Sequence, residues 1–376
     1  MSEGLWRRAE LWAKMRARGF DWVLSREHAP MKTTFRSEVD FIAWVKRQAV
    51  RRAAGLRLGI GDDAALFQVS PGRELILTTD MSIEGVHFTS NLHPPRAIGH
   101  RALARSLSDI AAMGGVPRYA LLSLAISAHA TRAWLDGFYG GLLALAKRFS
   151  VAVIGGDTAI VQGPSTIDVV LAGEIPRAKA LRRSGARPGD QLFVSGRLGL
   201  AALGLRLLRS RKGAQGKLRE GAEERNLHSS TACRKPEEAA ALQAHLFPQP
   251  QCALGQFLSK RALATALMDL SDGLSLDLTR LCDASGVGAR LYQDRIPTPG
   301  LPDRALSLEL ALDGGEDYQL LFTVSPRRAP HIPRRFGRVP LHCIGEIHAR
   351  KGIRLITPEG KSHTLPPRGY DHFRGR

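Results

Sequence analysis

Six short segments of the sequence share one arrangement, in which an apolar run meets one or more carboxylates, often beside glycine. A carboxylate next to a hydrophobic core is costly unless it is paired with a cation or bound to a metal. Few arginines flank these segments, so ion pairs are not expected to account for all six. We therefore expect a fold in which the ends of several strands and helices meet at one site, where a bound cation compensates the negative charge of the carboxylates. The segments are "GIGDDAA", "LTTDMSIEGVHF", "SLSDIAAMGG", "VIGGDTAI", "MDLSDGLSLDLTRL" and "LDGGEDYQLLF".

Each segment alone has an ordinary explanation, because Gly-Asp pairs are common in turns. Together they offer the hard oxygen ligands that Mg²⁺ requires, with phosphate oxygens completing its coordination. Adjacent glycines let a phosphate approach backbone N–H groups. The sequence contains no G-x-x-x-x-G-K-[ST] loop, no protein-kinase motif set and no evident Ser/His/Asp arrangement. These features favour metal-assisted, direct phosphoryl transfer.

The segment from Met268 to Leu281 combines acidic residues with the leucine spacing of a buried helical stripe. This spacing predicts a helix over the segment, with its leucines packed in the second half of the protein. Asp269 and Asp272 should then face a cleft. Asp277 has two interpretations, either a further acid that faces the cleft or a local group that is structural or supports the metal ligands.

The order of strand-like and helix-like runs predicts a two-domain α/β protein. We expect an N-terminal domain at 32–176 and a C-terminal domain at 177–376. Residues 1–31 have three interpretations: an amphipathic helix, a transit-like arm or, as the favoured one, an extension that is not part of the functional protein, with Met31 as the true start. The stretch at about 209–238 is polar, charged and free of Phe, Trp and Tyr. It predicts a poorly ordered surface insertion.

The formal net charge of +19 leaves two interpretations open, a solvated basic surface or a polyanionic partner such as nucleic acid. Nucleic acid is the less favoured partner, because arginine is spread along the chain and no RNA-binding signature occurs. We expect no membrane span and no secretory signal, since no apolar run is long enough. The four cysteines form no CxxC pair, which argues against a zinc site and fits a cytoplasmic protein.

Nine motifs occur in the order found in thiamine-monophosphate kinases, a family that the chain resembles from about residue 34 to residue 373. The wider superfamily, which includes aminoimidazole ribonucleotide synthetase and selenophosphate synthetase, shares the fold and the use of ATP. Another ATP-using enzyme of that superfamily is therefore the alternative, but "GGEDY" and "GYDHF" favour the thiamine branch. The chain departs from the family at Ser106, where Asn is common, and at Phe247 and Gln251, where arginines are frequent. The motifs are "GIGDDAALF", "TTDMSIEGVHF", "LSDIAAMGGVP", "IGGDT", "SGARPGDQLFVSG", "DLSDGLSLDL", "GGEDYQLLF", "IGEI" and "GYDHF".

The resemblance implies ATP- and Mg²⁺-dependent phosphorylation of thiamine monophosphate to thiamine diphosphate, with release of ADP. It implies an aminoimidazole ribonucleotide synthetase-like fold, whose N-terminal mixed sheet binds ATP and magnesium and pairs with a second subunit as a homodimer. The C-terminal α/β domain would close the site, and no separate catalytic residue is implied. Several magnesium ions would be held by Asp63, Thr78, Thr79, Asp80, Asp109, Asp157, Asp269 and Asp272. ATP would meet Gly156, Asp157, Arg183 and Ser271. Thiamine monophosphate would meet His87, Glu316 and Tyr370.

Overall fold

The computed structural model describes residues 35, 37–49, 53–61, 64–216 and 236–370. The extension at 1–31 and Asp63 lie outside the described residues. Within the described ranges, no helix has the length and apolar character needed to cross a bilayer.

The first half is a four-stranded mixed sheet in the order β3-β6-β4-β5, covered on one face by two helices. Strand β6 runs antiparallel to β3 and β4, whereas β4 and β5 are parallel. Helix α2 packs tightly against α3 at Gly99. A Cβ at this position would come within 1.9 Å of the Phe138 carbonyl oxygen, so only glycine allows this approach. The elements are α1 (Glu38–Gln48), β1 (Leu56–Leu58), β2 (Leu66–Phe67), β3 (Arg73–Ile83), α2 (Pro95–Ala112), β4 (Val116–Ser127), α3 (Arg132–Arg148), β5 (Ala152–Val161) and β6 (Thr166–Pro176).

The second half is built on a larger sheet in the order β14-β13-β9-β12-β7-β10-β8, with β11 paired to β12. The boundary predicted at residues 176 and 177 falls between β6 and β7, and it stays a prediction. The expected mixed α/β architecture is confirmed in both halves. The elements are β7 (Gln191–Ser195), α4 (Leu200–Gly216), α5 (Pro236–Leu246), α6 (Cys252–Lys260), β8 (Ala264–Leu270), α7 (Leu274–Ser285), β9 (Gly288–Tyr292), α8 (Arg304–Asp313), β10 (Gln319–Val324), β11 (Arg335–Phe336), β12 (Val339–His348), β13 (Gly352–Ile356) and β14 (Ser362–Thr364).

One hydrophobic cluster joins the two halves. It contains Leu107 and Ile110 of α2, Leu258 of α6, and Leu267 and Phe322 of the second sheet, all of them buried. Helix α2 therefore lies between the sheets, and the residues it carries are held relative to both. A second cluster lies in the C-terminal half, and it contains the four leucines at 270, 274, 278 and 281, as predicted.

The prediction of one helix from Met268 to Leu281 is wrong. Strand β8 ends at Leu270, a turn follows, and α7 begins only at Leu274. Gly273 breaks the segment, since its φ of 114° is one that side chains rarely adopt. Leucine spacing could not reveal the break, because the end of a buried strand followed by an amphipathic helix produces the same spacing.

The polar insertion is helical at both of its ends. Helix α4 continues to Gly216, and α5 begins at Pro236, so the prediction of a poorly ordered loop is wrong for residues 209–216 and 236–238. The remainder of the insertion lies outside the described residues.

Candidate active site

A cavity of about 890 Å³ lies between the two halves and brings together many of the predicted site residues. Strand β3 and helix α2 form one wall, and the turn after β8, the segment before β10 and the C-terminal segment form the other. The predicted residues that line the cavity are Asp80, His87, Asp109, Asp269, Ser271, Asp272, Glu316 and Tyr370.

The acidic end of the cavity is assembled around α2. Thr78 lies on the same face of β3 as Asp80, and its hydroxyl donates a hydrogen bond to Asp109 on α2. The preceding residue, Ser108, donates through Oγ to Oδ2 of Asp269 at 2.7 Å. Two neighbouring residues of α2 thus connect the halves: Asp109 accepts from Thr78 of the first half, and Ser108 donates to Asp269 of the second.

The pKa values of two carboxyl groups at this end are raised, which indicates that the protein does not fully compensate their negative charge. Burial, followed by the charge of Asp109, raises the pKa of Asp80 to about 7 and that of Asp269 to about 8. Among the described residues, no three His, Cys, Asp or Glu side chains lie close enough together to hold a metal ion as they stand. The fit to Mg²⁺ therefore depends on the chemistry of the donors, which are carboxylate and hydroxyl oxygens.

Arginines pair with some of the carboxylates at this acidic end, although not with all of the six segments. Arg105 Nε lies 3.6 Å from Asp80 Oδ1. Arg280 donates to Asp272 and, at 2.8 Å, to Oδ1 of Asp277. The pairs of Arg105 with Asp80 and of Arg280 with Asp272 needed the fold to be found, whereas Arg280 and Asp277 are three residues apart on one helix and could be paired from the sequence.

Asp277 is a structural group, which decides between its two interpretations. The side chain is fully buried. Its Oδ2 accepts hydrogen bonds from the backbone N–H groups of Ser271, Asp272 and Gly273 at 3.0, 2.9 and 3.1 Å. Asp277 thereby fixes the turn that presents Ser271 and Asp272 to the cavity.

At the other end of the cavity, Glu316 is held by groups that the sequence did not indicate. The buried Arg101 donates to Glu316 Oε1 at 2.5 Å, and Nδ1 of His245 lies 3.7 Å from Oε2. Burial alone would raise the pKa of Glu316, but Arg101 more than offsets this and the pKa falls to about 2. His93 Nε2 lies 2.9 Å from His245 Nε2, and burial lowers the pKa of both imidazoles. Glu316 is therefore an oriented carboxylate beside neutral histidines.

The backbone around Glu316 is strained. Glu316 and Tyr318 adopt φ values of 67° and 48°, which are uncommon for residues other than glycine. Their N–H groups donate to the carbonyl oxygens of Ser271 and Leu270 at 2.7 and 2.9 Å. Such strain tends to accumulate at functional sites, and here it ties the Glu316 segment to the turn after β8.

The C-terminal segment reaches the same turn. The Tyr370 N–H donates to the Asp272 carbonyl oxygen at 3.0 Å. A Cβ on Gly369 would come within 2.3 Å of that oxygen, so this close approach requires glycine. Tyr370, the aromatic residue of the "GYDHF" motif that was predicted to contact thiamine monophosphate, thereby lines the cavity.

Two predicted metal ligands lie away from the cavity. Thr79 points to the opposite face of the first sheet from Thr78, and its hydroxyl donates to Asp168 Oδ1 at 2.7 Å. Asp157 is exposed on β5, where its Oδ1 accepts the Thr158 N–H at 2.8 Å. In a single chain neither side chain contributes to the acidic end.

Two predicted ATP contacts are also outside the cavity. Gly156 lies on β5 with φ of 149°, and a Cβ there would meet the Leu122 carbonyl oxygen at 1.9 Å. Arg183 has an exposed side chain, and its carbonyl oxygen accepts a hydrogen bond from Ser285 Oγ at 3.1 Å. Asp63 falls outside the described residues.

The three departures from the family pattern have local roles away from the cavity. The Phe247 ring packs edge-on against His100, with ring centres 5.3 Å apart. Gln251 donates to the Gln249 carbonyl oxygen at 2.7 Å. Ser106 is buried and donates to the Val169 carbonyl oxygen at 3.1 Å.

Comparisons with known proteins agree with the two-part architecture. Residues 61–175 match the family model "AIR synthase related protein, N-terminal domain", and residues 187–357 match that of the C-terminal domain. The thiamine-monophosphate kinase of Salmonella typhimurium is 37% identical, over 84% of this chain and 91% of the relative.

Solved structures show the same likeness. The crystal structure of thiamine-monophosphate kinase from Stenotrophomonas maltophilia K279a is 34% identical, with a TM-score of 0.71 over 86% of this chain and 96% of that one. AaThiL complexed with AMPPCP and TMP is 28% identical, with a TM-score of 0.66 over 94% of this chain and all of that one.

Proposed function

The chain belongs to the thiamine-monophosphate kinase family of AIR synthase-related proteins, and we propose that its cleft transfers the γ-phosphoryl group of ATP to thiamine monophosphate, giving thiamine diphosphate and ADP. The observation that carries the proposal is that acids of both halves meet in one cavity that also contains Glu316. The AaThiL complex with an ATP analogue and TMP supports both substrates. The relatives do not favour the alternatives of another superfamily activity or of nucleic-acid binding.

Direct phosphoryl transfer requires positioning and charge neutralisation more than covalent chemistry by the protein. Asp80, Asp109, Asp269 and Asp272 are the described residues that would hold magnesium, and the Thr78 hydroxyl would help to orient Asp109. When bound, Mg²⁺ supplies positive charge to the transferring phosphoryl group. Arg280 is paired with Asp272, so this carboxylate would have to share or release Arg280 in order to hold a metal ion.

The end of the cavity that contains Glu316 would bind thiamine monophosphate through charge and aromatic contact. Thiamine carries a cationic ring, which the Glu316 carboxylate would attract and the Tyr370 ring would face. Arg101 keeps Glu316 ionised and oriented, and His87 lines the same cavity. Ser271 would meet ATP from the turn fixed by Asp277.

The remaining predicted residues stay predictions. Thr78, Thr79 and Asp157 for metal, and Gly156 and Arg183 for ATP, do not line the cavity of one chain, and Asp63 lies outside the described residues. Thr79, Asp157, Gly156 and Arg183 would join the site only through domain movement or a second subunit.

We infer a homodimer through the face of the first sheet opposite its helices, beside the part of that face on which β1 and β2 pack. Leu77 and Met81 of β3 are 62% and 51% exposed there, and Leu75 and Leu121 add to the same apolar surface. Exposed apolar patches of this kind mark interaction surfaces. A second copy is the proposed occupant, because a two-fold axis would bring identical apolar faces together.

We infer a cytoplasmic location from the cysteines and the co-substrate. Among the described residues, Cys252, Cys282 and Cys343 are free. Free buried thiols fit a reducing compartment, and ATP is supplied there.

The test is ADP release by the purified protein with ATP and thiamine monophosphate, with and without Mg²⁺, coupled to detection of thiamine diphosphate. We expect both products in equal amounts and only with Mg²⁺. Reactions with other phosphorylated acceptors test the superfamily alternative. If thiamine monophosphate does not increase ADP release above the rate without acceptor, the proposal is wrong.

A further inference from the structure

Three arginines line the cavity, Arg105, Arg209 and Arg368, and of these Arg105 lies beside a predicted metal ligand, Asp80. Arg105 of α2 is largely buried, with 17% of its side chain exposed. Its Nε lies 3.6 Å from Asp80 Oδ1, which is too long for a hydrogen bond. The Nε–H group is buried and has no acceptor. The buried Nε–H is out of reach of a ligand, but Arg105 lines the cavity with part of its side chain exposed, so the outer N–H groups of the guanidinium are the donors that could meet a ligand.

The position of Arg105 between the two ends of the cavity follows from helical spacing. Arg101, Arg105 and Asp109 are spaced by four residues, so they lie on one face of α2, with about 6 Å of helix rise between successive members. Arg101 contacts Glu316 at one end, and Asp109 belongs to the acidic end. Arg105 therefore lies between the acid proposed for the thiamine ring and the acids proposed for metal.

The negative Glu316 and the positive Arg105 follow one another along the cavity. The acceptor has the complementary arrangement, with a cationic ring at one end and a phosphate at the other. Arg101 is committed, because it also donates to the His245 and His87 carbonyl oxygens. Without Arg105, the middle of this wall would present an incoming phosphate mainly with carboxylates. A guanidinium group, by contrast, matches phosphate oxygens with a planar set of donors.

We propose that Arg105 binds the phosphate group of thiamine monophosphate and so makes the cleft select a phosphorylated acceptor over free thiamine. The inference rests on the proposed function, and it assigns one residue to acceptor specificity. Arg105 contacts substrate in this scheme but takes no part in bond making.

The experiment compares the binding of thiamine monophosphate and of thiamine, by calorimetry with Mg²⁺ and AMPPCP present, in the wild type, Arg105→Gln and Arg105→Lys. Arg96→Gln is the matched control, because Arg96 is exposed in the first turn of α2 and does not line the cavity. We expect Arg105→Gln to weaken thiamine monophosphate binding by about 10- to 100-fold, the usual effect of losing a charged hydrogen bond. Thiamine binding should change by less than about twofold, Arg105→Lys should be intermediate, and Arg96→Gln should match the wild type.

An equal loss for both acceptors, or no loss for either, would overturn the proposal. A loss of AMPPCP affinity with unchanged acceptor binding would also overturn it, because Arg105 would then serve the nucleotide. If Arg105→Gln does not fold, Arg105→Met, which keeps the apolar stem, takes its place in the same comparison. These outcomes are separate from the proposed function, which fails if the wild type itself releases no ADP with thiamine monophosphate.

Discussion

The buried carboxyl group of Asp269 allows the acidic end of the cleft to be tested without any metal. Burial, and then the charge of Asp109, raises its pKa from 3.8 to about 8. Between these values the folded protein holds a proton that the unfolded chain releases, so the free energy of unfolding falls as pH rises. The slope is about 1.4 kcal/mol per pH unit. From pH 5 to pH 7 this one carboxyl should cost the metal-free protein about 3 kcal/mol.

Replacing Asp269 with Asn removes this cost and keeps the local contact, because the amide oxygen can still accept the hydrogen bond from Ser108 Oγ. Urea denaturation of both EDTA-treated proteins at pH 5 and pH 7 measures the effect. The stability of Asp269→Asn relative to the wild type should rise by about 3 kcal/mol between the two pH values. With Mg²⁺ and AMPPCP the stability advantage of Asp269→Asn at pH 7 should become smaller. The wild type gains more stability from these ligands, because they bind only the folded state and Asp269 would hold the metal.

Asp283→Asn is the matched control, since Asp283 is an exposed carboxylate on the last turn of α7. The reasoning is refuted if the stability difference between Asp269→Asn and the wild type is the same at pH 5 and pH 7. It is also refuted if Asp283→Asn shows the same change, because the effect would then not depend on burial among other acids.

Three further changes test other parts of the site. Asp80→Asn should lower kcat for ADP release by at least about 100-fold while the melting temperature is kept, because it removes a hard anionic ligand; near-normal turnover would remove Asp80 from the site. Deleting residues 217–232, with a short Gly/Ser bridge in their place, should leave kcat within a few-fold, because the acids of the cavity lie elsewhere; a folded but inactive variant would show that the segment belongs to the site. Leu77→Lys should convert the dimer into a monomer in sedimentation experiments, because it puts a charge on the apolar face of the first sheet; an unchanged mass would exclude that face as the interface.

The sequence predicted which of the described acids line the cavity better than it predicted how these acids are held. Asp80, Asp109, Asp269 and Asp272 do line one cavity, because each lies near the end of an element that meets α2 or β8. These positions could be predicted because apolar runs and turn residues locate the ends of elements.

The partners of these acids could not be predicted in the same way. Arg101 pairs with Glu316, and Arg280 with Asp272, through contacts that only the tertiary fold creates. The pair of His93 and His245 is a contact between distant parts of the chain, and neither residue has a local signal that distinguishes it from other histidines. The four-residue spacing of Arg101, Arg105 and Asp109 is a signal in the sequence that could have placed Arg101 and Arg105 on the same helix face as Asp109.

The shared position of α2 also has a consequence for how the protein can be divided. Helix α6 follows the first half by more than seventy residues, yet a Cβ on its Gly255 would come within 2.0 Å of the Ala111 carbonyl oxygen of α2. Cys252 of α6 reaches the Leu107 carbonyl oxygen at 3.4 Å, and Gln256 donates to that of Gly115 at 3.1 Å. A fragment ending at residue 176 would thus lose the surface that covers one side of α2 and would expose its apolar side chains to water. A first half produced alone should therefore be less stable than the whole chain, because one side of the helix on which the cleft is built is covered by a helix of the second half.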